Sequence, residues 1–170
     1  MSNVSVITAI KDHHSELTTD LQARTAQVLA QAHGEQLRHA TQELDRWCRA
    51  ELLPHAAAEE TTIYAAGTTL EPTRLLVAAM IAEHRGLEKA VDAVAQARDG
   101  VAAVAAASAA QALFGAHLAK ENDLLLPALD SAGVDLAPLL EGMHELLGEA
   151  EPAAHAGCGC GCGHSSGLSS

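Results

Sequence analysis

Four long stretches of the chain repeat apolar residues at intervals of three and four, the period of a helix with one buried face. In the first, residues 3–32, the stripe holds Ile7, Ile10, His14, Leu17, Leu21 and Val28, and His33 with Gly34 supplies a stop. The second, residues 36–66, aligns Leu37, Leu44, Cys48, Leu52, His55, Glu59 and Ile63, with Gly67 closing it. Pro54 lies inside this pattern and is expected to kink it, because proline removes a backbone donor. The third opens near Pro72 and runs to residue 98. It turns Leu76, Val77, Met80, Ile81, His84, Leu87, Val91 and Val94 inward, and Asp99 with Gly100 ends it. The fourth, residues 101–129, aligns Leu113, His117, Glu121, Leu124 and Ala128, with Pro127 bending its last turn. A shorter fifth helix is expected over residues 135–147, with Pro138 in its first turn.

Short connections between long helices make successive helices antiparallel neighbours. The expected fold is therefore all-α: an antiparallel, up-down-up-down four-helix bundle with a short fifth helix, forming one domain over residues 1–148. Beyond Gly148 the periodicity fades, and residues 149–170 read as a Gly/Ser/Cys-rich tail or linker, expected to be disordered. Alanine and leucine dominate, while Trp47, Tyr64 and Phe114 are the only aromatics, a balance that suits close-packed helices rather than sheets.

A formal charge of −12 disfavours nucleic acid and anionic membranes as partners. The alanine-rich run 101–113 is broken by Ser108 and Gln111 and reads as too short for a membrane span. Residues 1–11 lack the basic run and apolar stretch of a secretory leader. Cys48 stands alone and the other three cysteines crowd the tail, which is no disulfide framework. A cytoplasmic monomer or weak homodimer is expected.

The informative residues are the polar ones that interrupt the stripes. His55 and Glu59 are four apart, as are His117 and Glu121, so each pair projects from one helix face about one turn apart. His84 adds a third helix, and His13 or His14 a fourth. A lone histidine on an apolar stripe is more often a core residue than a ligand. Two glutamates among Leu, Ile and Ala are harder to dismiss, because a buried carboxylate without a cation is costly. Counted from one common end of the bundle, the six lie about seven to twelve residues deep, a slab on the order of 8 Å thick. That thickness suits two metal ions roughly 3.5–4 Å apart. Imidazole and carboxylate together suit iron, manganese or zinc. Glu59 and Glu121 are placed to bridge, with His14, His55, His84 and His117 as terminal ligands and coordination positions left open.

These motifs resemble the hemerythrin-like, or HHE cation-binding, domain. The likeness rests on Asp12-His13-His14, on Leu53-Pro54-His55 with Glu59-Glu60, on Glu83-His84, and on His117 to Pro127; it covers about residues 5–148. The resemblance implies a four-helix bundle holding a non-haem di-iron centre with bridging Glu59 and Glu121. It also implies His14 as the first-helix ligand, with Leu17 and Leu21 following at the family's spacing. Members bind or react with dioxygen, peroxide or nitric oxide, or sense iron and oxygen. Oxygen-carrying hemerythrins have a further histidine one turn before the third-helix ligand. Here that position is Met80, which points away from reversible oxygen carriage and toward a more open, more reactive iron.

The expected function is thus a di-iron protein that reacts with a small oxidant or gas (hydrogen peroxide, dioxygen or nitric oxide), with catalase-like peroxide handling foremost. The alternative is a module that senses or binds oxygen, nitric oxide or iron without turnover. Tyr64, five residues past Glu59, is a candidate to donate a hydrogen bond or an electron, or else a packed aromatic. Glu60, Glu83 and Glu88 flank ligands and are candidates to accept imidazole N–H groups. In the tail, Cys158, Cys160, Cys162 and His164 alternate with glycine, a thiol density that suits soft metals but is tighter than usual zinc spacing.

Overall fold

Ser2 caps the first helix: its Oγ accepts the Ser5 N–H at 3.3 Å, satisfying one of the orphan donors of a helix start. A computed structural model describes residues 2–31 and 34–148, which are helical with no strand among them. The tail motif of Cys158, Cys160, Cys162 and His164 lies outside the described residues, as does the His33 of the first expected stop.

The elements in order are α1 (Asn3–Ala30), α2 (Gly34–Trp47), a π-helical turn (Cys48–Leu52), α3 (Leu53–Thr61) and α4 (Ile63–Thr68). Then follow α5 (Arg74–Gln96), α6 (Gly100–Lys120), a second π turn (Glu121–Leu125), α7 (Leu126–Ser131) and α8 (Ala137–Leu147). Helix α1 packs on α2 and α6, and α5 packs on the same two, so the long rods close a ring. Helix α8 lies across α3 and α1. Its approach is pinned by Asn3, which donates to Asp130 Oδ1 and to the Val134 carbonyl, both at 2.8 Å, and accepts the Leu136 N–H.

Both prolines expected to bend helices sit just after a π turn. Proline's ring collides with the carbonyl four residues back, Ala50 for Pro54 and Asp123 for Pro127. Each of those carbonyls lies in the widened turn, where Leu53 N–H bonds back to the Cys48 carbonyl and Leu126 N–H to the Glu121 carbonyl. The extra residue per turn makes the room. It also shifts the buried stripe. Leu124, expected inside, is 53% exposed, while Leu125, Leu126 and Leu129 are fully buried in its place.

Other boundaries differ from expectation for local reasons. Gly34 adopts φ +84° and opens α2, a conformation that costs a residue with Cβ about 1–2 kcal/mol. Asp99 does not end α5, which stops at Gln96; its carboxylate caps α6 by accepting the Ala102 N–H at 2.8 Å. Gly67 is no stop either, being buried within α4 at a close approach to α5. A Cβ there would meet Val77 Cγ2 at 2.8 Å and Leu125 Cδ1 at 3.2 Å. Gly67→Ala is accordingly expected to destabilise by about 1–3 kcal/mol through overpacking, read as a lower urea midpoint at unchanged slope.

The continuous helical run Gly100–Ser131 is long and apolar enough to cross a membrane by length and composition, more so than the run 101–113 suggested. One face of it packs on α1 and α5, burying Ala103, Ala107, Ala110 and Phe114.

Two apolar clusters fill the interior. One gathers Leu17, Leu21, Leu44, Leu52, Leu87, Val91, Phe114 and their neighbours. The other gathers Val6, Ile10, Ile63, Tyr64, Val77, Met80, Leu125 and Leu129. Along α1 the chain passes from the second cluster to the first, along α2 to α4 from the first to the second, and the order reverses again in α5 and in α6 to α7.

Candidate metal centre

Between the two clusters every rod contributes polar side chains: His14 from α1, His55 and Glu59 from α3, His84 from α5, His117 at the end of α6 and Glu121 at the start of its π turn. All six are buried, none more than 4% exposed. Of the two histidines left open on the first helix, His14 turns into this layer. His13 stays half-buried outside it, its ring 4.9 Å from that of His55.

Glu59 is the hub. Its Oε1 lies 2.8 Å from His55 Nε2 and 3.3 Å from His14 Nε2, and its Oε2 lies 3.4 Å from His84 Nε2. His14, His55 and Glu59 each bring one donor atom within 4.8 Å of the others, and Glu59, His84 and His117 do the same. Glu121 flanks the second triad, with its Oε2 3.7 Å from His117 Nε2.

Three features mark these contacts as a shell of lone pairs rather than a hydrogen-bonded core. His55 Nε2 approaches Glu59 closely yet off the hydrogen-bond direction, so it remains without a partner, and so does Glu121 Oε1. Buried polar atoms are nearly always satisfied, so orphaned lone pairs in this layer suit a cation. His84 Nε2 and His117 Nε2 face each other at 3.1 Å. Finally, the outer nitrogens of three rings are fixed: His14 Nδ1 by Asn122 Oδ1 at 2.9 Å, His84 Nδ1 by Glu60 at 3.0 Å, His117 Nδ1 by Glu83 at 3.1 Å. Donating from Nδ1 leaves the Nε2 lone pair pointing inward, the usual arrangement of metal-binding imidazoles. These residues fit a cation.

The charges agree. Burial raises Glu121 above the usual carboxylate value, and the neighbouring Glu59 carboxylate raises it further. Burial pushes Glu59 the same way, but His55, His14 and His84 overcome it and hold Glu59 well below the usual range. Burial opposes the proton on His14, yet Glu59 and Glu121 outweigh it and lift the ring to about 9. Two buried carboxylates that act on each other draw in positive charge. Protons supply it here, and a metal supplies it better.

Tyr64, a candidate for the centre or a packed aromatic by sequence, packs in the second cluster with its hydroxyl beside the His/Glu layer. It is fully buried in the second cluster, stacked on His84 with ring centroids 5.3 Å apart. Its hydroxyl lies 2.8 Å from His117 Nε2 and donates to Glu121 Oε2 at 3.2 Å. Burial and the charges of Glu59 and Glu121 push the phenol far above its ordinary value, so it stays protonated. Met80 is fully buried core.

Of the flanking acids, Glu60 holds the His84 ring and Glu83 the His117 ring, and Lys120 pairs with Glu83; Glu88 is exposed. Asn122 escaped the sequence reading. The signal was present in its position: Glu60 follows Glu59, Glu83 precedes His84, and Asn122 follows Glu121, each orienting a ring on another rod. Asn122→Ala is expected to weaken metal binding about 10–100-fold by freeing His14, measured by competition with a chelator.

A fold of helices around a buried His/Glu layer defines a cation-binding helical protein. Residues 5–129 match the family model of the hemerythrin HHE cation binding domain, and the chain belongs to that family. No curated protein and no solved structure matches it.

Proposed function

We propose that the chain is a non-haem di-iron protein that reacts with a small oxidant, hydrogen peroxide first, in a catalase-like cycle. The observation that carries this is the sharing of Glu59 between two donor triads. A carboxylate with one oxygen toward His14 and His55 and the other toward His84 suits two metal ions bridged through it. His14, His55, His84 and His117 are the terminal ligands of this reading, and Glu121 is the second bridging carboxylate. The alternating order of the two apolar clusters from rod to rod supports an antiparallel, up-down-up-down arrangement of the four rods.

When bound, iron supplies Lewis acidity and a two-electron reservoir. The chain supplies the rest. Asn122, Glu60 and Glu83 hold three imidazoles in one tautomer, and the flanking leucine and alanine layers keep bulk water out. Met80 offers no ligand where oxygen carriers have a histidine, which keeps coordination positions open. Tyr64 holds a proton at its hydroxyl beside His117 and Glu121, within reach of a molecule at the centre.

The test is metal content and gas evolution together. Iron-loaded protein is expected to hold two irons per chain and to release oxygen from peroxide. Two irons with no oxygen released would leave the module that binds or senses a gas, and one iron or none would end the di-iron reading. Tyr64→Phe is expected to keep the metal and lower turnover about a hundredfold, the scale of a lost proton donor.

A further inference from the structure

The two donor triads share Glu59 and differ in what stands behind their imidazoles. In the triad of His84 and His117 each outer nitrogen donates to a carboxylate: His84 Nδ1 to Glu60 at 3.0 Å, His117 Nδ1 to Glu83 at 3.1 Å. In the triad of His14 and His55 neither does. His14 Nδ1 meets the neutral amide oxygen of Asn122 at 2.9 Å, and His55 Nδ1 is sealed from solvent without a hydrogen-bond partner. Both outer carboxylates are half-buried, so water screens them poorly. Lys120 offsets part of the charge on Glu83, while no Lys or Arg pairs with Glu60 among the described residues.

We propose that the two metal positions are unequal: the first ion is held by His84, His117 and Glu59, and the position at His14 and His55 fills second and empties first. This rests on the two-metal reading above and deepens it. An imidazole whose Nδ1–H leans on a carboxylate carries more electron density at Nε2 and is the stronger ligand; an amide acceptor does far less. The same carboxylates attract the cation directly across the ring, through an interior that screens less than water. Outer partners of this kind change affinity about 10–100-fold, so two carboxylates, one of them offset by Lys120, separate the positions by about tenfold or more. Nothing else ranks them the other way. Glu59 turns one oxygen to each side, and all four rings are equally buried. The Tyr64 hydroxyl competes for His117 Nε2 at 2.8 Å, but it has Glu121 Oε2 as a second acceptor and gives up little by turning to it. Once one ion is bound, its charge opposes the next, so filling is stepwise. When metal is scarce, the chain rests in a one-metal state.

The test is a zinc titration of the metal-free full chain, labelled with ¹⁵N-histidine. Zinc takes the same nitrogen and oxygen donors. The tail carries Cys158→Ser, Cys160→Ser and Cys162→Ser so that its thiols capture none. The His84 and His117 ring nitrogens are expected to reach their metal-bound positions first, with His14 and His55 following at about tenfold higher free zinc or more. A chelator should release them in the opposite order. Glu60→Gln with Glu83→Gln keeps an acceptor oxygen behind each ring and removes the charge, so the gap should close. Asn122→Asp adds a charge behind His14 and should narrow it from the other side. Groups that merely position the rings would leave the order untouched in both variants. His14 and His55 shifting first, all four rings shifting together, or a gap unchanged in both variants overturns the proposal. A chain that takes one ion only, at His84 and His117, keeps the ranking and rejects the two-iron reading. Two ions bound in the opposite order reject the ranking alone.

Discussion

On the di-iron reading, Glu59→Gln is expected to lose at least one metal ion outright and to weaken binding of the other more than a hundredfold, beyond the 10–100-fold typical of losing a group that only orients a ligand. Glu59 alone belongs to both donor triads, so the change strikes both halves of the centre at once. The amide keeps the shape of the side chain but turns one of its two inward oxygens into a donor with no lone pair to offer. His14, His55 and His84 then face a group that cannot share a cation with them. Glu121→Gln should be milder, because Glu121 belongs to neither donor triad and flanks them, its Oε2 3.7 Å from His117 Nε2. Elemental analysis of both variants, with helicity checked by circular dichroism, decides the matter: full two-metal occupancy in Glu59→Gln would refute the hub.

Stripping the metal is expected to invert how stability depends on pH. In the metal-free protein His14 titrates at about 9, above its ordinary 6.5. A raised histidine stabilises the fold fully below the unfolded value and loses that contribution as pH climbs from 6.5 through 9. Glu121 acts in the same direction. Its carboxyl is raised, so the fold increasingly opposes its ionisation once pH passes the ordinary 4.5. Glu59 sets the acid limb: being lowered, it stabilises above 4.5 and gives that up as pH falls. The metal-free chain should therefore be most stable near pH 5 and lose on the order of 3 kcal/mol by pH 9 from His14 alone, roughly 10 °C in Tm. With metal the trend reverses, because binding needs deprotonated imidazole and carboxylate and strengthens as protons leave. Melting curves at pH 5, 7 and 9, with and without chelator, read both slopes. A metal-free Tm that rises toward pH 9 would remove the electrostatic account of the centre.

Much of this centre was legible in the chain because its residues violate their surroundings. Histidines and glutamates on stripes otherwise made of Leu, Ile, Val and Ala are visible to a period of 3.6, and their common depth follows from counting residues. The choice between His13 and His14 was less secure, since adjacent residues on a helix differ by only about 100° in direction. Packing resolved it: His14 continues the face of Ile10 and Leu17, and His13 falls beside the His55 ring. The π turns were not legible. A single uniform period through Pro127 places Leu124 inside, whereas the wider turn at Glu121 passes burial to Leu125 and Leu129. Gly67 and Asp99 carried signals that fit two roles each. A buried glycine looks the same in sequence whether it ends a helix or lets two approach, and an aspartate between helices can close one or cap the next.

The sequence by itself determined the helical class, the apolar faces and the set of polar side chains on them, because each depends on spacing within one segment. Tertiary structure alone decided which atoms meet: that Glu59 rather than Glu121 is the hub, that Asn122 locks His14, that Tyr64 reaches His117, and that Glu60 and Glu83 stand behind His84 and His117. Those are contacts between rods, fixed by rotation and tilt to within a few tenths of an ångström, and no local period carries that information.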